Sequence, residues 1–204
     1  MRSTTPKDLS GHCQRCLLRL EICICEVVPR VSTRLSVLIV QHVAELRLTS
    51  NTGRLAALAL PNAKILEYGG GEPFDESALS HDDSVLLYSA SVVSPSCASP
   101  LPERISRLVV LDGSFRQARR MYKRIRALRS LPELALPPPP TPPLRLRQPP
   151  HAAGMSTLEA IAHALALIEG EELARPLHAL QAEFVQRVDA LRGRRRDEQG
   201  RGIS

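Results

Sequence analysis

The chain has 204 residues, 43% of them hydrophobic, and a formal net charge of +6. This length suits one domain with a small appendage, and the 3% of aromatic residues, with no Trp, excludes a broad aromatic stacking surface for nucleic acid. No apolar run is long enough to span a membrane and no signal peptide is visible at the N-terminus, so we expect a cytoplasmic protein that does not bind membranes.

Four of the five cysteines fall within thirteen residues near the N-terminus, as a Cys-x-x-Cys pair and a Cys-x-Cys pair. They are Cys13, Cys16, Cys23 and Cys25. Four thiolates suit a closed tetrahedral zinc site, and cysteines of a reduced compartment are more often metal ligands than disulfides. A redox or incidental role is the alternative. We therefore predict a zinc-binding knuckle over residues 1–30, a main domain over 31–191 and a basic disordered tail over 192–204.

Apolar runs and amphipathic stretches alternate after the knuckle. Buried strands are predicted at 34–40, 63–66, 84–88 and 107–111, and a helix at 53–60. This alternation is typical of an α/β fold with a parallel sheet flanked by helices.

The last predicted strand leads directly into a strongly basic segment. Residues 103–129 hold nine Arg or Lys and two acids, a net charge of +7 against +6 for the whole chain. The strand ends on Asp112-Gly113, and ligands of open α/β sheets bind at the carboxyl ends of strands. Three- and four-residue spacing places the cations on one face of the following helix, which suits a polyanion such as RNA; a solvated helix without a partner is the alternative. These cations are Arg116, Arg119, Arg120 and Lys123.

Proline dominates the segment that precedes the last two predicted helices. Eight of the fourteen residues from 137 to 150 are prolines, so this stretch is extended, either as a passive linker or as a functional loop. Ser156 or Thr157 is the expected N-cap of the next helix, and a second helix is expected over 176–191.

These motifs, in this order, resemble the DTW domain family, a branch of the SPOUT-like superfamily, over about residues 13–167. The resemblance is carried by the four cysteines, His42-x-x-Glu45, Ser50-Asn51-Thr52-Gly53, the strand ending at Tyr88, Leu111-Asp112-Gly113 with its basic helix, and Ser156-Thr157-Leu158-Glu159-Ala160. The family is named for an Asp-Thr-Trp turn, and here Ser114 replaces Thr and Phe115 replaces Trp. Serine keeps the hydroxyl and phenylalanine keeps an apolar aromatic face, so we expect the chemistry to survive.

The resemblance implies a SPOUT-like fold with a C-terminal trefoil knot, and a transferase. Such enzymes move the 3-amino-3-carboxypropyl group of S-adenosylmethionine to N3 of a uridine in tRNA and release methylthioadenosine. The alternatives are a SPOUT-type RNA methyltransferase, which would release adenosylhomocysteine, and a non-catalytic zinc-containing RNA-binding protein. The expected partner is tRNA, and no obligate protein partner is evident.

The resemblance also implies roles for single residues. Asp112 would be the base that takes the uridine N3 proton, or else an N-cap of the basic helix. His42 and Glu45 would be catalytic in the same cleft, or else form a structural hydrogen bond. Contacts to S-adenosylmethionine are expected from Tyr88, Leu111, Asp112, Gly113, Phe115, Ser156 and Thr157; the last two are alternatively plain caps, and Phe115 is hypothesised to pack against the transferred arm. RNA phosphates would be held by Arg116, Arg119, Arg120, Lys123, Arg145 and Arg147, of which the last two could instead hold the carboxylate of the co-substrate.

Overall fold

The computed structural model describes residues 9–79, 82–87, 102–137, 144–146 and 154–193, and the backbone of two short strands in the tail. Two residues of the predicted site, Tyr88 and Arg147, lie outside the described residues.

A four-stranded sheet forms the centre of the domain. Its strands are β1 (Ser36–His42), β2 (Ala63–Tyr68), β3 (Ser84–Leu87) and β4 (Arg107–Asp112). All neighbouring strands are parallel, in the order β2-β1-β4-β3, which confirms the predicted parallel sheet. The two central strands pair in a register that sets Gln41 beside Asp112 at their carboxyl ends.

Within the described residues, four α-helices flank this sheet: α1 (Thr52–Ala59), α2 (Phe115–Arg124), α3 (Thr157–Ile168) and α4 (Glu171–Leu191). Helices α1 and α3 begin within one residue of the predicted positions, and α2 is the predicted basic helix. Helix α4 begins five residues before the predicted start. The acidic pair Glu171-Glu172 favours a helix N-terminus, and Pro176, so near this end, costs the helix only one internal hydrogen bond.

Alternating side chains of the strands build two apolar layers. Val37 and Ile39 face the larger layer, which contains residues of α1, α3 and α4, whereas Leu38 and Val40 face the smaller layer, which contains Met121 of α2. The sheet is therefore covered by helices on both faces, as a buried parallel sheet requires.

The cysteine segment packs against the main domain. Cys16, Leu18 and Ile24 belong to the larger apolar layer. The Arg187 guanidinium of α4 donates hydrogen bonds to the Cys23 carbonyl and, at 3.0 Å, to the Glu26 carboxylate. The knuckle thus shares its core with the domain that follows it.

Beyond residue 193, in the tail that the sequence predicts to be disordered, the structure describes the backbone of four residues. Two short strands, Arg195–Arg196 and Gly202–Ile203, pair in antiparallel fashion.

Within the described part of the chain, no helix is both long enough and apolar enough to cross a bilayer.

Candidate functional site

The Asp112 carboxylate is buried where three elements meet, and it is 3% exposed. Its Oδ2 accepts hydrogen bonds from Gln41 Nε2 at the end of β1 and from Asn51 Nδ2 before α1, both at 2.6 Å. Its Oδ1 accepts a hydrogen bond from the Thr157 hydroxyl at the start of α3, at 2.5 Å. One carboxylate at the end of β4 therefore holds together the ends of β1, α1 and α3.

The start of α1 approaches this carboxylate so closely that only glycine fits there. A Cβ atom at Gly53 would lie 2.8 Å from the Asp112 carboxyl carbon. Asn51 caps the same helix, since its Oδ1 accepts from the Arg54 N–H at 2.8 Å. The Thr52 hydroxyl accepts a hydrogen bond from the Leu158 N–H at 3.4 Å, which fixes α1 against α3. Asn51 and Gly53 of the Ser-Asn-Thr-Gly motif are therefore explained by their fit around Asp112, and Thr52 by its contact with α3.

A half-buried cation lies near this carboxylate. The Arg54 guanidinium donates to the backbone carbonyls of Leu46 and Leu48, in the loop between β1 and α1. Burial lowers the pKa of Arg54, and the negative charge of Asp112 opposes this change. Arg54 therefore supplies positive charge to the region of the buried carboxylate without a direct contact to it.

His42 is the last residue of β1 and lies at the same edge of the sheet as Asp112. Its Nδ1 accepts a hydrogen bond from the Ala44 N–H at 3.1 Å and lies 3.4 Å from the Gln117 amide nitrogen of α2. Burial, together with the positive charge of Arg120, lowers the pKa of His42. The ring is therefore neutral at neutral pH, and because Nδ1 accepts, its proton is assigned to Nε2.

The turn after β4 is a capping box rather than a cap formed by Asp112. Ser114 caps α2, and Gln117 accepts a hydrogen bond from the Ser114 N–H at 2.6 Å. The alternative interpretation of Asp112 as the N-cap of the basic helix is thus wrong. Gly113 lies in a tight position, since a Cβ atom there would lie 3.1 Å from Gln117 Cβ.

The outer face of α2 carries five cations. They line a shallow surface concavity: Arg116, Arg119, Arg120, Lys123 and Arg124. In the part of the chain that the structure describes, no carboxylate forms an ion pair with any of them. Phe115, at the start of the same helix, is 44% exposed. The predicted basic face is therefore present and presents its charge to solvent.

Arg145 lies away from this face. Its guanidinium donates to both carboxylate oxygens of Glu159, whose side chain is 1% exposed. Glu159 also completes the capping box of α3 with Ser156. The guanidinium predicted to contact RNA or the co-substrate is therefore bound within the protein, where it attaches the proline-rich segment to α3.

The four predicted metal ligands converge. Their sulfur atoms lie within 4.8 Å of one another, with 3.6 Å between Cys13 and Cys25 and 3.8 Å between Cys16 and Cys23. A tetrahedral zinc site with bonds of about 2.3 Å has sulfur–sulfur edges of about 3.8 Å, so the cluster fits zinc. The Cys16 backbone lowers the pKa of Cys13 to about 6, whereas burial raises the pKa of Cys25 to about 12. Four neighbouring thiols do not all ionise without a cation, and zinc supplies one.

Most residues of the predicted site lie at this one edge of the sheet. His42, Asp112, Gly113, Phe115 and Thr157 are together there, Ser156 caps α3 beside them, and Leu111 packs into the smaller apolar layer below. Sequence reasoning missed Gln41 and Arg54. Gln41 was detectable as a polar residue that closes an otherwise apolar strand, but Arg54 carried no signal in the sequence.

Comparison with known proteins gives a family. A model of the DTW domain matches residues 10–189 of the chain. The chain is also 27% identical over 198 residues to a protein of Drosophila melanogaster named tRNA-uridine aminocarboxypropyltransferase 2, covering 87% of this chain and 76% of that protein. No solved structure matches significantly.

Proposed function

Because the chain belongs to the DTW domain family, we propose that it is a tRNA-uridine aminocarboxypropyltransferase. It would transfer the 3-amino-3-carboxypropyl group of S-adenosylmethionine to N3 of a uridine in tRNA and release methylthioadenosine. One observation carries the proposal beyond family membership. Gln41, Asn51 and Thr157, which are distant in sequence, meet around Asp112, and the helix that follows Asp112 carries a face with five cations.

The basic face of α2 supports tRNA as the substrate. The cations sit on one side of a short helix, and salt-dependent contacts from such a face to phosphates supply most of the affinity for nucleic acid. Arg145 is not part of this surface, since it pairs with Glu159. We assign phosphate binding to Arg116, Arg119, Arg120, Lys123 and Arg124.

The donor site belongs at the same edge of the sheet, between the turn after β4 and the start of α3. The sulfonium of S-adenosylmethionine supplies an activated carbon, so the protein mainly orients the acceptor and removes its proton. Ser156 and Thr157 at the N-terminus of α3 are the groups we assign to the carboxylate of the donor. Backbone groups of Leu111 and Gly113 complete the proposed donor site, together with Tyr88, which lies outside the described residues.

The hydrogen bonds of the site favour separate roles for its acids. Both oxygens of Asp112 already accept hydrogen bonds inside the protein, so we assign it a positioning role. His42 carries its proton on Nε2 and is suited to donate to a uracil carbonyl as negative charge develops on the ring. Glu45, half-buried on the turn after β1, is then the proposed acceptor of the N3 proton.

We extend the proposal to topology, metal and location. The parallel sheet agrees with a SPOUT-like domain, and the knot would be formed by the chain around α3. Cys13, Cys16, Cys23 and Cys25 would hold a structural zinc ion, because a closed site of four thiolates leaves no open position for chemistry. We expect the protein to act in the cytoplasm.

The test is an incubation of the purified protein with bulk tRNA and S-adenosylmethionine, read by mass spectrometry of nucleosides and co-products. We expect methylthioadenosine together with aminocarboxypropyl-uridine. Adenosylhomocysteine with a methylated nucleoside would instead establish a methyltransferase. Bound tRNA with neither product would establish a non-catalytic RNA-binding protein.

Two variants test the assigned roles in the same assay. Glu45→Gln should lower turnover by about 10²- to 10⁴-fold, the usual contribution of a positioned base. Glu103→Gln, at an exposed position before β4, is the matched control and should leave turnover unchanged. Equal turnover of the two variants would refute Glu45 as the base.

A further inference from the structure

Phe115 is an exposed aromatic ring at the candidate site. Five Phe and Tyr side chains lie within the described residues, and the other four are buried or half-buried. Phe74 packs edge-on against Tyr68 at 5.6 Å between ring centroids, Phe184 lies in the core, and the Tyr122 hydroxyl donates a hydrogen bond. Phe115, by contrast, leaves 44% of its surface to solvent.

Along the chain, Phe115 lies between the end of β4 and the cations of the basic face. Phe115 is the first residue of α2, one turn before Arg119, so the two side chains are neighbours along the helix. Helical Cβ atoms tilt toward the N-terminus, which directs the ring toward the end of β4. An apolar surface therefore adjoins both the Asp112 turn and the phosphate-binding cations.

The chemistry of the acceptor requires such a surface. N3 of uracil donates the central hydrogen bond of a base pair, so a uridine modified at N3 must be unpaired. Unpaired bases of RNA are characteristically stacked on aromatic side chains, while cations hold the flanking phosphates. Pockets for small molecules are instead concave and bury most of the ligand surface, which the exposed Phe115 ring does not match.

We propose that Phe115 stacks on a nucleobase of the RNA substrate, the target uridine or its neighbour, while the basic face of α2 holds the adjacent phosphates. This inference rests on the proposed function, because it takes RNA as the substrate. It replaces the hypothesis that Phe115 packs against the transferred arm of the donor. It also gives a reason for an aromatic residue at this position of a chain with so few of them.

The absence of Trp from the chain makes the test direct. In Phe115→Trp the new indole is the only one, and its fluorescence reports contact at this position. We expect quenching by a short oligouridylate, and no quenching by an abasic ribose-phosphate strand of the same length or by S-adenosylmethionine alone. Quenching by the donor alone, or equally by the abasic strand, would overturn the proposal.

Affinity measurements distinguish stacking from charge. Phe115→Ala should weaken oligouridylate binding by about 5- to 150-fold, the usual effect of losing one base–aromatic contact, and leave the salt dependence unchanged. Arg119→Ala is the matched control on the same helix and should reduce the salt slope by about one unit. Unchanged affinity of Phe115→Ala, with its fold verified by circular dichroism, would refute stacking.

The two proposals fail in different ways. If the wild-type protein binds RNA and quenching occurs but no methylthioadenosine forms, the transferase is refuted and stacking stands. If product forms but no quenching occurs, stacking is refuted and the transferase stands. If the wild-type protein does not bind RNA at all, both the transferase and the stacking proposal are refuted.

Discussion

Replacing Asp112 with Asn and with Ala separates the structural role of its carboxylate from its charge. The carboxylate accepts three hydrogen bonds of 2.5–2.6 Å from Gln41, Asn51 and Thr157. In Asp112→Asn the amide oxygen can accept from Gln41 and Asn51, and the amide N–H can donate to the Thr157 hydroxyl, which also accepts. All three bonds survive in neutral form, so only the charge assistance of about 1 kcal/mol per bond is lost.

The relief of burying a charge offsets part of that loss, so we expect Asp112→Asn to cost about 1–3 kcal/mol. Asp112→Ala leaves the Asn51 amide and the Thr157 hydroxyl without their buried acceptor, at about 1–3 kcal/mol each, and adds a cavity. Its expected cost is therefore about 3–6 kcal/mol. The assay is urea unfolding of both variants, analysed as a two-state transition.

The same two variants decide what Asp112 does in catalysis. If it only positions its neighbours, Asp112→Asn keeps turnover within about tenfold of wild type, whereas a proton acceptor would lose about 10²- to 10⁴-fold. Equal unfolding free energies of Asp112→Asn and Asp112→Ala would refute the argument that the Asn51 amide and the Thr157 hydroxyl depend on this carboxylate.

Three further predictions follow from neighbouring features. Gly53→Ala should destabilise the protein by about 1–3 kcal/mol in urea unfolding, because the new Cβ would lie 2.8 Å from the Asp112 carboxyl carbon. A Gly to Ala change normally stabilises a helix, so the sign itself is a test. Gly70→Ala, whose new Cβ would make only an ordinary contact at 3.5 Å, is the control. Because burial lowers the pKa of His42, its contribution to stability is present above the unfolded pKa of about 6.5 and is lost as the pH falls through the lower folded value. Unfolding free energies measured from pH 7.5 to pH 5 should therefore fall less steeply in His42→Gln than in wild type. Elemental analysis of the wild-type protein should find one zinc ion per chain. Cys16→Ser should lose this ion and have a lower melting temperature, whereas Cys97→Ser should change neither.

Local patterns were sufficient to predict the sheet and the basic face. The four strands are short apolar runs that end at polar residues or turns, and the cations of α2 recur at helical spacing, so both signals lie within about ten residues of sequence. The strand bounds were accordingly found to within two residues. The cluster of four cysteines was predictable for the same reason, since the two cysteine pairs are close in sequence.

The partners of the buried groups were not predictable in this way. Gln41 and Thr157 lie 71 and 45 residues from Asp112, and only the folded register brings them to it. Arg145 illustrates the same limit. The predicted role was to hold RNA phosphates or the carboxylate of the co-substrate, but the structure places its guanidinium on the buried Glu159 carboxylate. Contacts across such separations depend on topology, which local periodicity does not specify.

The buried charges explain why Asp112 affects the site even if it never receives a proton. Arg54 lies near its negative charge and is fixed by the carbonyls of Leu46 and Leu48, so the carboxylate helps to stabilise the loop between β1 and α1. That loop begins with the turn that carries Glu45. Neutralising Asp112 leaves Arg54 partly buried with less compensating charge, which weakens its hold on the loop. A modest loss of turnover in Asp112→Asn is therefore expected from the displacement of Glu45 alone, and the larger loss expected of a missing base distinguishes the two roles.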